Sequence, residues 1–123
     1  MLRIVSLLTV VLSIFAVFSH GSGEERFGVP VYGGAALDAG ETAFLRNTAG
    51  ADGHFYRTRD SVEKVLAFYG KQAGLTSLGA DKSGGRFLKE EGGHTVYVII
   101  ESPWQPSKGG AVSADTKICI VRE

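Results

Sequence analysis

Apolar residues at Val62, Val65, Leu66, Tyr69 and Ala73 recur in steps of three, one, three and four. That spacing puts them on one helical face, which Phe68 widens, while Glu63, Lys64, Lys71 and Gln72 point mostly elsewhere. Just upstream, Thr58-Arg59-Asp60-Ser61-Val62-Glu63 sets Asp60 to cap the first amides and Glu63 to return the bond three residues on. Gly74 supplies a left-handed stop and Leu75 can close over the last turn. The pattern predicts one helix of about 13 residues, roughly 20 Å long. Gly70 inside it costs about 1 kcal/mol relative to alanine, so this helix leans on tertiary packing.

The rest of the chain reads in strand rhythm. Thr42 to Arg46 and Gly53 to Thr58 are short apolar or aromatic runs on either side of a polar stretch, and predict a hairpin with a long turn. Arg86 to Glu90, Thr95 to Glu101 and Thr116 to Arg122 predict three more strands, with Glu91-Gly92-Gly93-His94 as the turn between the first two. Thr95 to Ile100 is apolar on both alternating faces, as in a strand at the centre of a sheet. Glu24 to Val29 reads as a loose lead-in. Val29 to Ala35 reads as an extended piece ending in a glycine turn, with Pro30 keeping it at an edge or strand start. The expected fold is α+β, an antiparallel sheet of about five strands with one long helix packed on one face, in the order β-β-α-β-β-β.

Ahead of this domain, Arg3 precedes a run from Ile4 to Phe18 that is apolar except for Ser6, Thr9 and Ser13. Residues 1–23 therefore read as a secretory signal peptide, with small residues at Ser19, Gly21, Ser22 and Gly23 as cleavage positions. The alternative is an uncleaved anchor over residues 4–18, since no A-x-A triplet is present. Residues 24–123 form a single domain that is periplasmic or secreted, or membrane-anchored if the leader is retained. Loss of Arg3 with the leader leaves 12 basic against 13 acidic residues, a net charge of −1 that gives no electrostatic case for nucleic acid. Membrane contact then falls to the leader alone. Cys119, the one cysteine, cannot form an internal disulfide, so the core must hold the domain even in an oxidising compartment.

Two segments resemble a group of small exported bacterial domains of unknown function. Val29-Pro30-Val31-Tyr32-Gly33-Gly34-Ala35 is similar to their opening Pro-x-Tyr-Pro-Gly-Ala-like segment, with Gly33 where proline is usual. Thr58-Arg59-Asp60-Ser61 and Val65-Leu66-Ala67-Phe68-Tyr69 are similar to their Thr-x-Asp-Ser junction and Val-x-x-Phe-Tyr helix. The resemblance spans about half of the mature chain. It implies an exported helix-on-sheet domain and no activity, cofactor or catalytic residue.

Candidate chemistry is sparse. His54 and His94 stand outside any H-x-x-x-H, C-x-x-C or H-E-x-x-H spacing, so no metal or other cofactor is expected. Ser61 and Ser102 lack a G-x-S-x-G context, and the paired glycines lack the residues of a phosphate loop. No nucleophile, base and orienting group can be named together, so an enzyme is not expected. A cluster of His54, His94 and Cys119 in space would reverse that.

What stands out is Trp104, the only tryptophan, between Pro103 and Pro106 in a long connection from Ser102 to Asp115. With Gln105 and Lys108 it forms a candidate interaction loop if the indole is exposed, and a cover for the sheet if the indole folds back. The first reading makes the chain a non-enzymatic module binding a protein or envelope component. The second candidate is a small-molecule or lipid cleft between helix and sheet, lined by Val65, Phe68, Tyr69, Tyr97 and Ile99.

Overall fold

The computed structural model describes residues 23–123, so the expected signal peptide over residues 1–23, save Gly23, and the alternative anchor over residues 4–18 lie outside the described residues. In chain order the elements are β1 (Glu25–Arg26), β2 (Val29–Pro30), β3 (Ala36–Leu37), α1 (Ala39–Ala49), β4 (Asp52–Thr58), α2 (Val62–Gly70), β5 (Thr76–Asp81), β6 (Gly84–Glu91), β7 (His94–Glu101) and β8 (Thr116–Arg122). β1 and β2 pair as a small hairpin, and the rest build a six-stranded antiparallel sheet ordered β3-β4-β8-β7-β6-β5. Among the described residues no helix is long and apolar enough to cross a membrane.

This architecture corrects the expected single long helix on five strands. Two short helices lie on a six-stranded sheet, one against each face, and a separate hairpin precedes them. The predicted strand over Thr42 to Arg46 is the middle of α1. Asp38 caps that helix by accepting from the Glu41 amide at 3.0 Å, and Gly50, at φ +64°, ends it with its N–H on the Arg46 carbonyl. α2 stops at Gly70, three residues short of Ala73, where the apolar pattern ends. Beyond Tyr69 the amides of Lys71 and Gln72 bond to Phe68 and Tyr69, three back, and the chain tightens into a turn. The cap also shifts by one residue: Ser61 Oγ accepts from the Lys64 amide, while Asp60 accepts from the Tyr32 hydroxyl at 2.6 Å. The lead-in expected to be loose contains β1, which pairs Glu25 with Pro30. β5 was absent from the predicted set, because Thr-Ser-Leu-Gly-Ala-Asp has no apolar alternation and every one of its residues is exposed.

The strands predicted at β4, β6, β7 and β8 are present, each extended by no more than two residues at either end. The Gly92-Gly93 turn joins β6 to β7, with both glycines at positive φ. The register sorts their side chains onto two faces. On the inner face Tyr56, Ile118, Ile100, Val98, Ile120, Val96 and Phe87 pack under Val62, Val65 and Tyr69 of α2 and under Val29 and Val31. On the outer face lie Phe55, Cys119, Ile99, Tyr97 and Val121, with α1 lying across β4. Both helices approach the sheet over a missing side chain. A Cβ at Gly53 would meet Leu45 of α1 at 2.6 Å, and one at Gly85 would meet Leu66 of α2 at 2.8 Å.

Tyr69, fully buried, fastens the N-terminal segment to α2. Its hydroxyl donates to the Pro30 carbonyl at 2.9 Å and accepts from the Tyr32 amide at 3.1 Å, and burial pushes its ionisation far above the usual phenol range. Tyr69→Phe leaves both backbone groups without that partner. We expect a loss of about 1–3 kcal/mol in urea denaturation, and an unchanged midpoint would show that the segment is fastened elsewhere.

Candidate functional site

The connection from β7 to β8 is closed on itself. Trp104 and Ser113 exchange both backbone bonds, at 3.0 and 2.9 Å, so the chain leaves and returns through one antiparallel bridge. Within the excursion, Gly109 bonds to the Pro106 carbonyl and the Gln105 amide donates to Gly110. The Ser102–Pro103 peptide is cis.

Asp115 holds the base of this loop. One carboxylate oxygen accepts from the Trp104 indole N–H at 2.8 Å and from Ser113 Oγ, and the other accepts from Arg57 Nε at 2.9 Å. Burial alone would raise this carboxyl. Hydrogen bonds from Ser113, Arg57 and Trp104, with the Arg57 charge, outweigh it and hold the group below the usual carboxylate range. Arg57, from β4, also reaches Ser113 Oγ and Asp38, and its guanidinium stands 5.1 Å from the centre of the indole. Lys117 approaches the same ring at 5.3 Å and the Phe55 ring at 5.1 Å. Trp104 is 3 % exposed. The indole therefore covers the outer face beside Arg57 and Lys117 and is not an exposed anchor, and the side chains the loop exposes include Gln105, Ser107, Lys108 and Val112.

A second fastening joins the tip of the loop to α1, where Glu41 accepts from the Ser107 amide at 2.8 Å and from its hydroxyl at 2.5 Å. Between loop and helix lies a pocket of about 170 Å³. Trp104, Phe44 and Pro106 form its apolar wall, Asp38, Glu41 and Arg57 its polar side, and Lys108 its rim. Phe44 is 37 % exposed in a helix whose other side meets the sheet. On the far side of Arg57 a second depression of about 510 Å³ runs over Gly33, Gly34, Arg59, Asp60 and Asp115. A third, of about 490 Å³, is floored by the glycine-rich β5–β6 hairpin and has no aromatic wall.

The cleft predicted between helix and sheet does not form from its five residues. Val65 and Tyr69 are sealed in the core, and Phe68 packs edge-on against Tyr32 and Tyr69 at 5.3 and 4.9 Å. Tyr97 and Ile99 alternate with Val96, Val98 and Ile100 and so face away from α2. The cluster that would have pointed to catalysis is likewise split. His54 pairs with Ile120 on the inner face and packs against Phe27, whereas Cys119 lies on the outer face, where burial pushes its thiol up to about 11. His94 ends the β6–β7 turn with Nδ1 near the Glu123 carbonyl. Among the described residues no group of three or more His, Cys, Asp and Glu could hold a metal ion.

Phe44 is the contributor that sequence reasoning missed. Asp38 with Glu41 three residues on, and then Gly50, was the signal that would have placed it on a helix. The chain matches no family model, no curated protein and no solved structure.

Two measurements check this geometry. Trp104, as the sole indole, gives blue-shifted emission shielded from a soluble quencher, and Asp115→Ala shifts it red and opens it; emission already red in the parent chain would contradict the burial. His54 is held below its ordinary 6.5 by burial and by Arg26, against Asp52, with Arg46 adding to the lowering and Glu24 opposing it. The unfolded chain then takes up a proton that the folded one resists. Stability is full above the unfolded value and declines as pH falls below it. His54→Phe should flatten that decline between about pH 7 and pH 5; equal declines in both proteins would remove His54 as its source.

Proposed function

We propose that this chain is a non-enzymatic, exported binding module whose contact surface is the Ser102 to Asp115 loop together with the first turns of α1. The observation that carries this reading is the pocket between them. It sets a partly exposed Phe44 and the edge of a buried indole beside Lys108, which has no ion-pair partner among the described residues, on a loop fixed at its base by Asp115 and at its tip by Glu41. A surface held this way loses little conformational freedom on binding, which favours recognition by a preformed site. Export rests on the leader of residues 1–23, and the partner is a protein or envelope component on that side of the membrane.

Photo-crosslinking in native cells tests the reading on the full chain. A photoreactive residue in place of Lys108 should give a discrete adduct that Phe44→Asp removes, while the same residue in place of Lys82, across the sheet, gives none. Phe44 is 37 % exposed and lies outside the buried core, and an unchanged urea midpoint in Phe44→Asp is the control that the fold is kept. An adduct at position 108 that persists in Phe44→Asp, or adducts only at position 82, would reject this surface.

A further inference from the structure

Among the described residues, His54 Nδ1 is the one buried side-chain polar atom without a hydrogen-bond partner. A neutral imidazole tolerates this, because the buried nitrogen can be the bare acceptor. An imidazolium does not, since both nitrogens then carry a proton and this one has no acceptor. The charges around the ring add to the difficulty. Arg26 of β1 and Arg46 of α1 oppose a proton there, and Arg122 of β8 stands 4.6 Å from the Phe27 ring that packs on it. The acids that would favour a proton, Glu24 and Asp52, are held by Arg26 and Arg122 at 3.2 and 2.6 Å. On β6, Lys89 and Glu91 pair with each other.

What lies over His54 is the tip of the β1–β2 hairpin, where Phe27 packs edge-on against the imidazole at 5.7 Å. Arg26 pairs with Val29, which leaves Phe27 and Gly28 as a two-residue turn with φ of +54° and +79°. Glycine takes that conformation freely, but a bulky residue keeps it only where its surroundings hold it. Contacts of the ring with His54 and Arg122 supply that hold. Gly28 and the residues after it are fixed independently: Lys89 donates to the Gly28 carbonyl at 2.8 Å, Val29 is fully buried, and Tyr69 holds Pro30 and Tyr32. Ahead of Gly28, Arg26 donates to the Tyr56 hydroxyl and the Glu24 carbonyl accepts from the Val31 amide, both at 2.8 Å. The hairpin shares no ladder with the six-stranded sheet, so these residues can part from the body without breaking it.

We propose that residues 24–28 form an acid-released arm, closed over His54 while the imidazole is neutral and swung out about Gly28 once it is protonated. Opening gives both ring nitrogens to water, takes Arg26 away and bares the Tyr56 hydroxyl. The open form binds the proton more readily than the closed one, so the closed form is favoured at neutral pH and loses ground as pH falls.

Amide exchange followed by NMR on the purified full chain tests this, with rates written as protection factors so that the pH dependence of exchange itself drops out. The probe is the Val31 amide, whose acceptor Glu24 lies in the arm. From pH 7 to pH 5 its protection should fall about tenfold. That opening should barely respond to low urea, because a short arm exposes little surface, whereas the amide of Val98 in the central sheet exchanges through unfolding and responds steeply. Phe27→Ala should lower Val31 protection already at pH 7. In His54→Phe, or in His54→Gln where the phenylalanine does not fold, the pH effect should vanish. Val31 exchange with the same urea response as Val98 would show that the arm leaves only with the whole fold and overturn the proposal. So would a pH effect that survives in the His54 variant, or Val31 protection that is flat from pH 7 to pH 5.

Discussion

Strands β7 and β8 carry apolar side chains on both of their faces, and most of the molecule follows from covering each one. Val96, Val98, Ile100, Ile118 and Ile120 face one way, while Tyr97, Ile99, Cys119 and Val121 face the other. A single helix can shield only the first set. α2 does so with help from Val29 and Val31, pinned by the Tyr69 hydroxyl. While Tyr97 and Ile99 on β7 stay partly exposed, over β4 and the adjoining side of β8 the second set gains a second layer from two pieces distant in sequence, α1 and the Trp104 loop. Their junction at Ser107 and Glu41 is where the pocket lies. The candidate site is thus a by-product of covering this part of a two-sided sheet.

Asp115 and Arg57 carry the electrostatics of that second layer. A partly buried carboxylate and a guanidinium satisfy each other, the indole N–H, a serine hydroxyl and the Asp38 cap in one network. A lone ion pair at this exposure would contribute little. Linked to a buried indole and to a helix cap, the pair fixes where the loop and α1 stand relative to β4, so the pocket has a defined width before any partner arrives.

The sequence carried the inner half of this design more clearly than the outer half. Val62, Val65 and Tyr69 announce α2 by spacing, and the β6–β7 hairpin is legible from its glycine pair. α1 was hidden because Ala43, Phe44 and Leu45 form a short apolar run that suits a strand equally well, although Asp38, Glu41 and Gly50 mark a helix. β5 was hidden because an exposed edge strand has no face to bury and so no alternation to show. The helix–sheet cleft failed for a related reason. When every residue from Val96 to Ile100 is apolar, composition does not say which of them face the helix, and only the register with β8 does. The Trp104 loop was legible as a special segment from its prolines and single indole, but the pocket was not, since its other wall comes from the helix that was missed.

The break in pairing between Ser77 and Gly79 on β5 bears on how the protein behaves in a crowd. β5 is the long outer strand of the sheet, with its whole length exposed and Leu78 half out in solvent. An unbroken strand in that position would offer a template on which further strands could add and fibres could grow. The bulge puts the two halves of β5 out of phase, so an incoming strand in register with one half meets the other out of step. The bulge makes this exposed edge a poor template for strand addition.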